Sequence, residues 1–183
     1  MFTTWVLLFI AQTALVRGRR IDWHIRLGLF GMAVGAVIPV VGIATALAMT
    51  RLEASAGAAL VGQEAFLALS FFDMAAFAIA FWLAVCLRRR RDYHRRLMLM
   101  ASCGLTVAAF ARFPSWLMPH NAWYLGVDGL ILVALVRDLV VERRAHPVYA
   151  IGLPILMIGQ ATAMWVYLSR APEWLTIARA FLR

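Results

Sequence analysis

Lysine is absent from this 183-residue chain and acids are scarce: eighteen arginines face nine aspartates and glutamates, a formal net charge of +9. Charged side chains of both signs make up only 15% of the residues, where a soluble domain carries about a quarter. With 64% apolar residues and a mean hydropathy of +0.82, that shortage excludes a water-soluble globule. Cysteine is nearly missing too. Cys86 and Cys103 sit inside apolar runs without redox or metal spacing, so no disulfide is expected. The sequence lacks G-x-S-x-G, H-E-x-x-H and phosphate-loop patterns, so no familiar catalytic set is indicated. In a soluble chain the basic excess would suggest nucleic acid. Here its distribution along the chain suits a membrane, and no nucleic-acid partner is expected.

Six apolar segments can be drawn, over residues 2–16, 25–50, 64–87, 94–113, 122–141 and 148–169. A helix needs about 20 residues to cross a hydrocarbon core of roughly 30 Å, and the last five segments satisfy that. The first reaches only about 22 Å at helical rise, so either the bilayer thins there or the native chain starts upstream. Its arginines follow the apolar stretch instead of preceding it, which reads as an anchor and not a secretory signal.

The arginines sort into two sets. Thirteen fall in the connections around Arg17–Arg26, Arg88–Arg96 and Arg137–Arg144; the other five are Arg51, Arg112, Arg170, Arg179 and Arg183. By the positive-inside rule the larger set is cytoplasmic, which puts both termini outside. Trp5, Trp116, Trp123, Trp165 and Trp174 then mark the outer interface, Trp23 and Trp82 the inner one. The expected fold class is all-α: a polytopic transmembrane bundle over residues 1–171, with an amphipathic helix over 172–183 on the outer face. That tail places Trp174, Ile177, Ala178, Phe181 and Leu182 on one stripe, with Arg179 and Arg183 off it.

An internal repeat sets the register of the spans. Arg19 to Leu27 reads RRIDWHIRL and Arg89 to Leu97 reads RRRDYHRRL, with six of nine positions identical. ERRAHPVY, from Glu142 to Tyr149, is a weaker third copy for which chance similarity between basic loops is the alternative. Each copy opens an in-to-out span, so the chain reads as three hairpins of one sense. Asp22 and Asp92 stand where helix N-caps belong. Two residues along a helix is about 200°, so if Arg26 faces headgroups, His24 faces the bundle.

The His24 face continues through Gly28, Gly31, Gly35 and Gly42, with small-xxx-small spacing at Gly31 and Gly35 that admits a close neighbour. Pro39 is expected to kink this span. On the fourth span His94 shares a face with Met98, Ala101, Leu105, Ala108 and, five turns on, Arg112. A second constellation, Asp73, Arg112 and Asp128, falls in the outer halves of three spans, where an ionised group is costly unless paired. A structural ion cluster is the first expectation, a proton or ion pathway the second.

These elements resemble a family of bacterial multi-span inner-membrane proteins marked by an HRRLG element opening one span and an HRRxM or HKRLM element opening a later one. The matching residues are His24, Arg26, Leu27 and Gly28, with Ile25 replacing a common arginine, then His94, Arg95, Arg96, Leu97 and Met98; Arg112 matches a recurring arginine. The second element is also similar to small membrane proteins involved in maturing haem-copper oxidases. The resemblance implies an inner-membrane location and assigns no chemistry.

Three functional readings follow. The first is a noncatalytic accessory, assembly or scaffolding subunit of a membrane complex, with lipids and other membrane subunits as partners. The second is a b-type haem- or metal-binding redox protein, because His24, His94 and His146 begin three parallel spans at similar depth. Bundles resembling the di-haem cytochromes need histidine pairs at both faces, whereas the outer side here has only His120. The third is a transporter built on Asp73, Arg112 and Asp128.

Overall fold

The computed structural model describes residues 2–56 and 60–182. Among these the structure is helical: α1 (Phe2–Arg17), α2 (Ile21–Ser55), α3 (Leu60–Cys86), α4 (Arg91–Gly104), α5 (Val107–Phe110), α6 (Trp123–Glu142), α7 (Pro147–Ser169) and α8 (Pro172–Leu182). The spans α2, α3 from Val61, and α7 are long and apolar enough to cross a membrane, which makes this a membrane protein. Helices are the form such a chain must take, because lipid offers no partner to an open backbone amide.

The apolar core surrounds α3, which packs against α2, α4, α7 and α8. Trp5 of α1 meets Phe77 edge-on at 5.3 Å and Phe81 at 5.7 Å, while those two phenylalanines stack on each other at 5.7 Å. The indole N–H of Trp5 donates to Ser102 Oγ, tying α1 to α4. A second cluster joins α4, α6 and α7 through Met100, Cys103, Val127, Ile131, Tyr149 and Leu153.

Glycines act here as sockets for side chains. Phe81 occupies the space a Cβ on Gly35 would need, Met74 does so at Gly42, and Phe72 at Gly159. Gly31, the other half of the small-xxx-small pair, meets nothing within 4 Å. The spacing therefore marks one socket for a ring, and no close approach of two backbones occurs at Gly31.

One expectation about continuity changes. Pro39 lies inside α2, whose helix spans Ile21–Ser55. The fourth apolar segment does break: α4 ends at Gly104, and Thr106 caps Cys103 O with both its amide (2.9 Å) and its hydroxyl (2.6 Å). The Thr106 hydroxyl competes for a backbone carbonyl at the interruption. Arg112 consequently does not continue the helical face that His94 begins.

At the opposite end from the arginine loops, α8 packs on the starts and ends of other helices. Trp174 Nε1 donates to Glu64 O at 2.9 Å, Arg179 pairs with the Glu64 carboxylate at 3.1 Å, and Phe71 of α3 packs against Trp174 and Phe181. Arg51 of α2 donates to Phe181 O and Leu182 O. The apolar stripe of the tail is thus partly used within the chain, with Ala178 buried and Ile177 still exposed. Arg183 lies outside the described residues.

Candidate functional site

The densest polar chemistry lies at the arginine-rich ends of α4 and α6. Arg96 is only 2% exposed. Its Nε donates to Asp138 at 2.5 Å, its Nη2 to Glu142 at 2.6 Å, and its Nη1 to Asp92 O at 3.0 Å. Arg137 joins the same two carboxylates from the solvent side, at 2.9 Å to Asp138 and 3.1 Å to Glu142. Arg95 bridges Glu142 and Asp92. Asp138 and Glu142 are four residues apart and so share a face of α6, where one planar guanidinium can engage both. This network bolts α4 to α6.

The sequence reading placed Arg95, Arg96 and Arg137 in the larger arginine set and did not single out Asp138 or Glu142. A signal was present: two carboxylates at i, i+4 on the basic side of the chain require a cation on a neighbouring helix. Which cation was not legible, since the repeat-related Arg26 is exposed and lies 5.7 Å from the Trp23 ring centre.

Asp22 and Asp92 are not N-caps. The helices start at Ile21 and Arg91, so each aspartate sits at the second helical position, and neither N-cap residue, Arg20 or Arg90, makes a side-chain cap bond. Both still lie in a first turn, where an anion suits the helix dipole. The Asp92 carboxylate is drawn along its helix by Arg95 at 3.2 Å and Arg96 at 3.6 Å.

The three histidines separate into two places. His24 and His94 come close enough for charge on one imidazole to be felt at the other. His94 Nδ1 lies 2.8 Å from Ala84 O, while His24 Nδ1 is buried with no hydrogen-bond partner. His146 is elsewhere. It packs edge-on against Tyr93 at a centroid distance of 4.6 Å, and its Nδ1 accepts from the amide of Val148, capping α7. Burial, with Arg96 nearby, holds the His146 imidazole below its ordinary pKa, so near neutral pH it carries no charge. Its distance in role from the other two follows from the register of α4, on which His94 faces α3 while Arg96, two residues on, faces α6.

The outer constellation does not assemble as an ion cluster. Arg112 is exposed and donates to Ala108 O within its own turn. Asp73 accepts from the Tyr124 hydroxyl at 2.8 Å, linking α3 to α6. Asp128 is buried beside Gln160, with Oδ1 unpartnered. Among the described residues no ion pair joins Arg112 to Asp73 or Asp128. Arg112 lies beyond Phe110, the last residue of α5, and its guanidinium folds back onto its own turn.

A cleft of about 610 Å³ opens beside the ion network, between the turn that precedes α4 and the turn that precedes α7. Arg90, Arg91, Asp92, Tyr93, Arg144 and His146 line it. No group of three or more His, Cys, Asp or Glu side chains among the described residues is placed to hold a metal ion. No protein-family model, no curated protein and no solved structure matches the chain.

Proposed function

We propose that the chain is an inner-membrane protein crossing the bilayer six times as three hairpins of one sense, with both termini outside, and that it serves as a noncatalytic accessory, assembly or scaffolding subunit of a membrane complex. This reading keeps the inner-membrane location that the HRRLG-type and HRRLM elements suggested. The observation that supports it best is the use made of acidic side chains. Asp73 ties α3 to α6, Glu64 ties α3 to α8, and Asp138 with Glu142 ties α4 to α6. Polar groups that are costly in lipid thus serve helix-to-helix attachment, while α2, α6 and α7 keep exposed apolar flanks, including Val40, Val133, Val140 and Ile158, for lipid or a sister subunit.

Topology and association are tested together. In a background of Cys86→Ser and Cys103→Ser, a cysteine at Ser115 is expected to react with a membrane-impermeant maleimide in intact spheroplasts. One at Arg89 should react only after permeabilisation. The tagged chain, expressed at native level and extracted gently, is expected to migrate as part of a larger assembly. Reversed labelling removes the orientation, and a solitary monomer that turns over a ligand removes the accessory role.

A second reading, binding of a metal ion or b-type haem by His24 and His94, is favoured by one specific observation. A buried Nδ1 on His24 lacks a partner, and the carbonyl of Ala84 orients His94 as second-shell groups orient metal-bound imidazoles. Two imidazoles would supply two of the ligands of a single ion, the rest coming from water or a partner. A macrocycle fits less well, since Met98 and Val85 beside the pair belong to the packed core around Trp5 and Phe81. Bound metal would supply redox or Lewis-acid chemistry there; His146, engaged at α7, would not contribute. The purified protein is expected to bind a divalent ion such as Zn²⁺ about stoichiometrically, with His24→Phe and His94→Phe each abolishing it. Colourless wild type with no measurable metal affinity rejects this reading.

A further inference from the structure

The cleft between the α4 and α7 starts is not absorbed by either reading above. Three arginines, Arg90, Arg91 and Arg144, line one concavity. None of them makes an ion pair among the described residues, in contrast to Arg95, Arg96 and Arg137 of the network. The one carboxylate on the wall, Asp92, is already neutralised by Arg95 and Arg96. Like charges facing one another across a recess repel, and an anion seated between them removes that cost.

The backbone adds to the same polarity. Two long helices, α4 and α7, begin at this cleft with their positive dipole ends, and the α4 N-cap has no side chain closing its amides. His146 and Tyr93 form one wall, with the imidazole held edge-on by the Tyr93 ring. Arg90 lies 6.0 Å from the Tyr93 ring centre, which aligns its guanidinium along the wall. The volume falls within the usual range of roughly 300–1,000 Å³ for small-ligand sites. Planar guanidinium forks match phosphate oxygens in pairs, so the chemistry selected is a phosphate more than a halide or a single carboxylate.

We propose that this cleft binds a phosphate-bearing anion, held by Arg90, Arg91 and Arg144 above His146, and that in the membrane the phosphate is that of an anionic phospholipid headgroup. The mouth of the cleft lies at the arginine-rich ends of the bundle, where the headgroup layer meets the spans, and basic recesses between spans at that level suit such lipids. The inference goes beyond the accessory reading and does not require it.

The test uses the full chain in nanodiscs and in detergent. Affinity is measured for phosphatidylglycerol, for phosphatidylcholine and for inorganic phosphate, on wild type, on Arg90→Gln/Arg91→Gln/Arg144→Gln, and on Arg17→Gln/Arg19→Gln/Arg89→Gln. The last variant loses the same charge outside the cleft. Phosphatidylglycerol is expected to bind wild type and the control variant alike, and the cleft variant at least about tenfold more weakly, a difference of about 1.4 kcal/mol. If inorganic phosphate binds comparably with the same dependence on the variants, the occupant is a soluble phosphate, and the site stands. Equal losses in both variants, or no preference of wild type for phosphatidylglycerol over phosphatidylcholine and no binding of phosphate, overturns it. Native mass spectrometry of wild type with the two lipids checks the headgroup preference independently, while the variants locate it to the cleft.

Discussion

Arg96→Met is expected to destabilise the bundle by about 3–5 kcal/mol, the cost of leaving a buried charge without its partner. The side chain is 2% exposed and satisfies Asp138 and Glu142 together, from a helix that neither carboxylate shares. Without it Asp138, buried on α6, keeps only Arg137, which approaches from solvent at 2.9 Å. Removing both ends of the link should be far milder, because an apolar pair of similar volume often replaces a buried ion pair with little loss. Arg96→Met/Asp138→Leu is therefore expected to recover most of the stability lost in the single variant. Arg26→Met, at the matching position of the first repeat, should change stability by no more than about 0.5 kcal/mol, as an exposed site does. Unfolding midpoints in mixed micelles compare the four proteins. Similar midpoints for Arg96→Met and Arg26→Met would show that the link between α4 and α6 contributes nothing.

Gly35→Leu is the second large effect. A side chain there meets the ring of Phe81, which is fully buried, stacked on Phe77 and held edge-on by Trp5. The ring has nowhere to go. Overpacking of this kind costs about 1–3 kcal/mol and sometimes more, and here it forces α2 away from α3. Gly31→Leu, one turn earlier, projects into open space and is expected to be tolerated. Gly35→Ala/Phe81→Leu should restore part of what Gly35→Ala loses, since the smaller side chain vacates the socket. The thermal midpoint of each variant decides the matter. Equal tolerance at Gly31 and Gly35 would mean that the α2–α3 contact does not set stability.

These two comparisons also show how far local sequence reaches. Arg26 and Arg96 occupy the same place in nearly identical nine-residue segments, yet one is exposed beside Trp23 and the other is buried against α6. Gly31 and Gly35 form one motif, yet only Gly35 receives a neighbour. A pattern defines which face a residue occupies. It does not define which helix, if any, lies opposite. The same limit explains the outer constellation: the sequence pattern groups Asp73, Arg112 and Asp128, but Asp73 bonds Tyr124 while Arg112, beyond the end of α5, bonds Ala108 O.

Other parts were readable because they depend on short-range geometry. The 200° between His24 and Arg26 places the imidazole toward the bundle and the guanidinium toward the surface, as their burial reflects. α2 and α4, the helices that His24 and His94 open, both pack on α3. His146 departs from that pair through a tertiary choice, its use as the cap of α7 against Tyr93.

Composition, periodicity and the distribution of arginine by themselves determined that this chain is helical, that its long apolar helices belong in a membrane, and roughly where they begin and end. Those properties follow from hydrogen bonding and transfer energies that act residue by residue along one segment. Only the tertiary structure decided that Arg96 joins Asp138 and Glu142, that Phe81 fills the space at Gly35, and that Arg90, Arg91 and Arg144 share a cleft. Each of those depends on which surfaces of distant segments oppose one another, and that choice is made by the packing of the whole bundle at once.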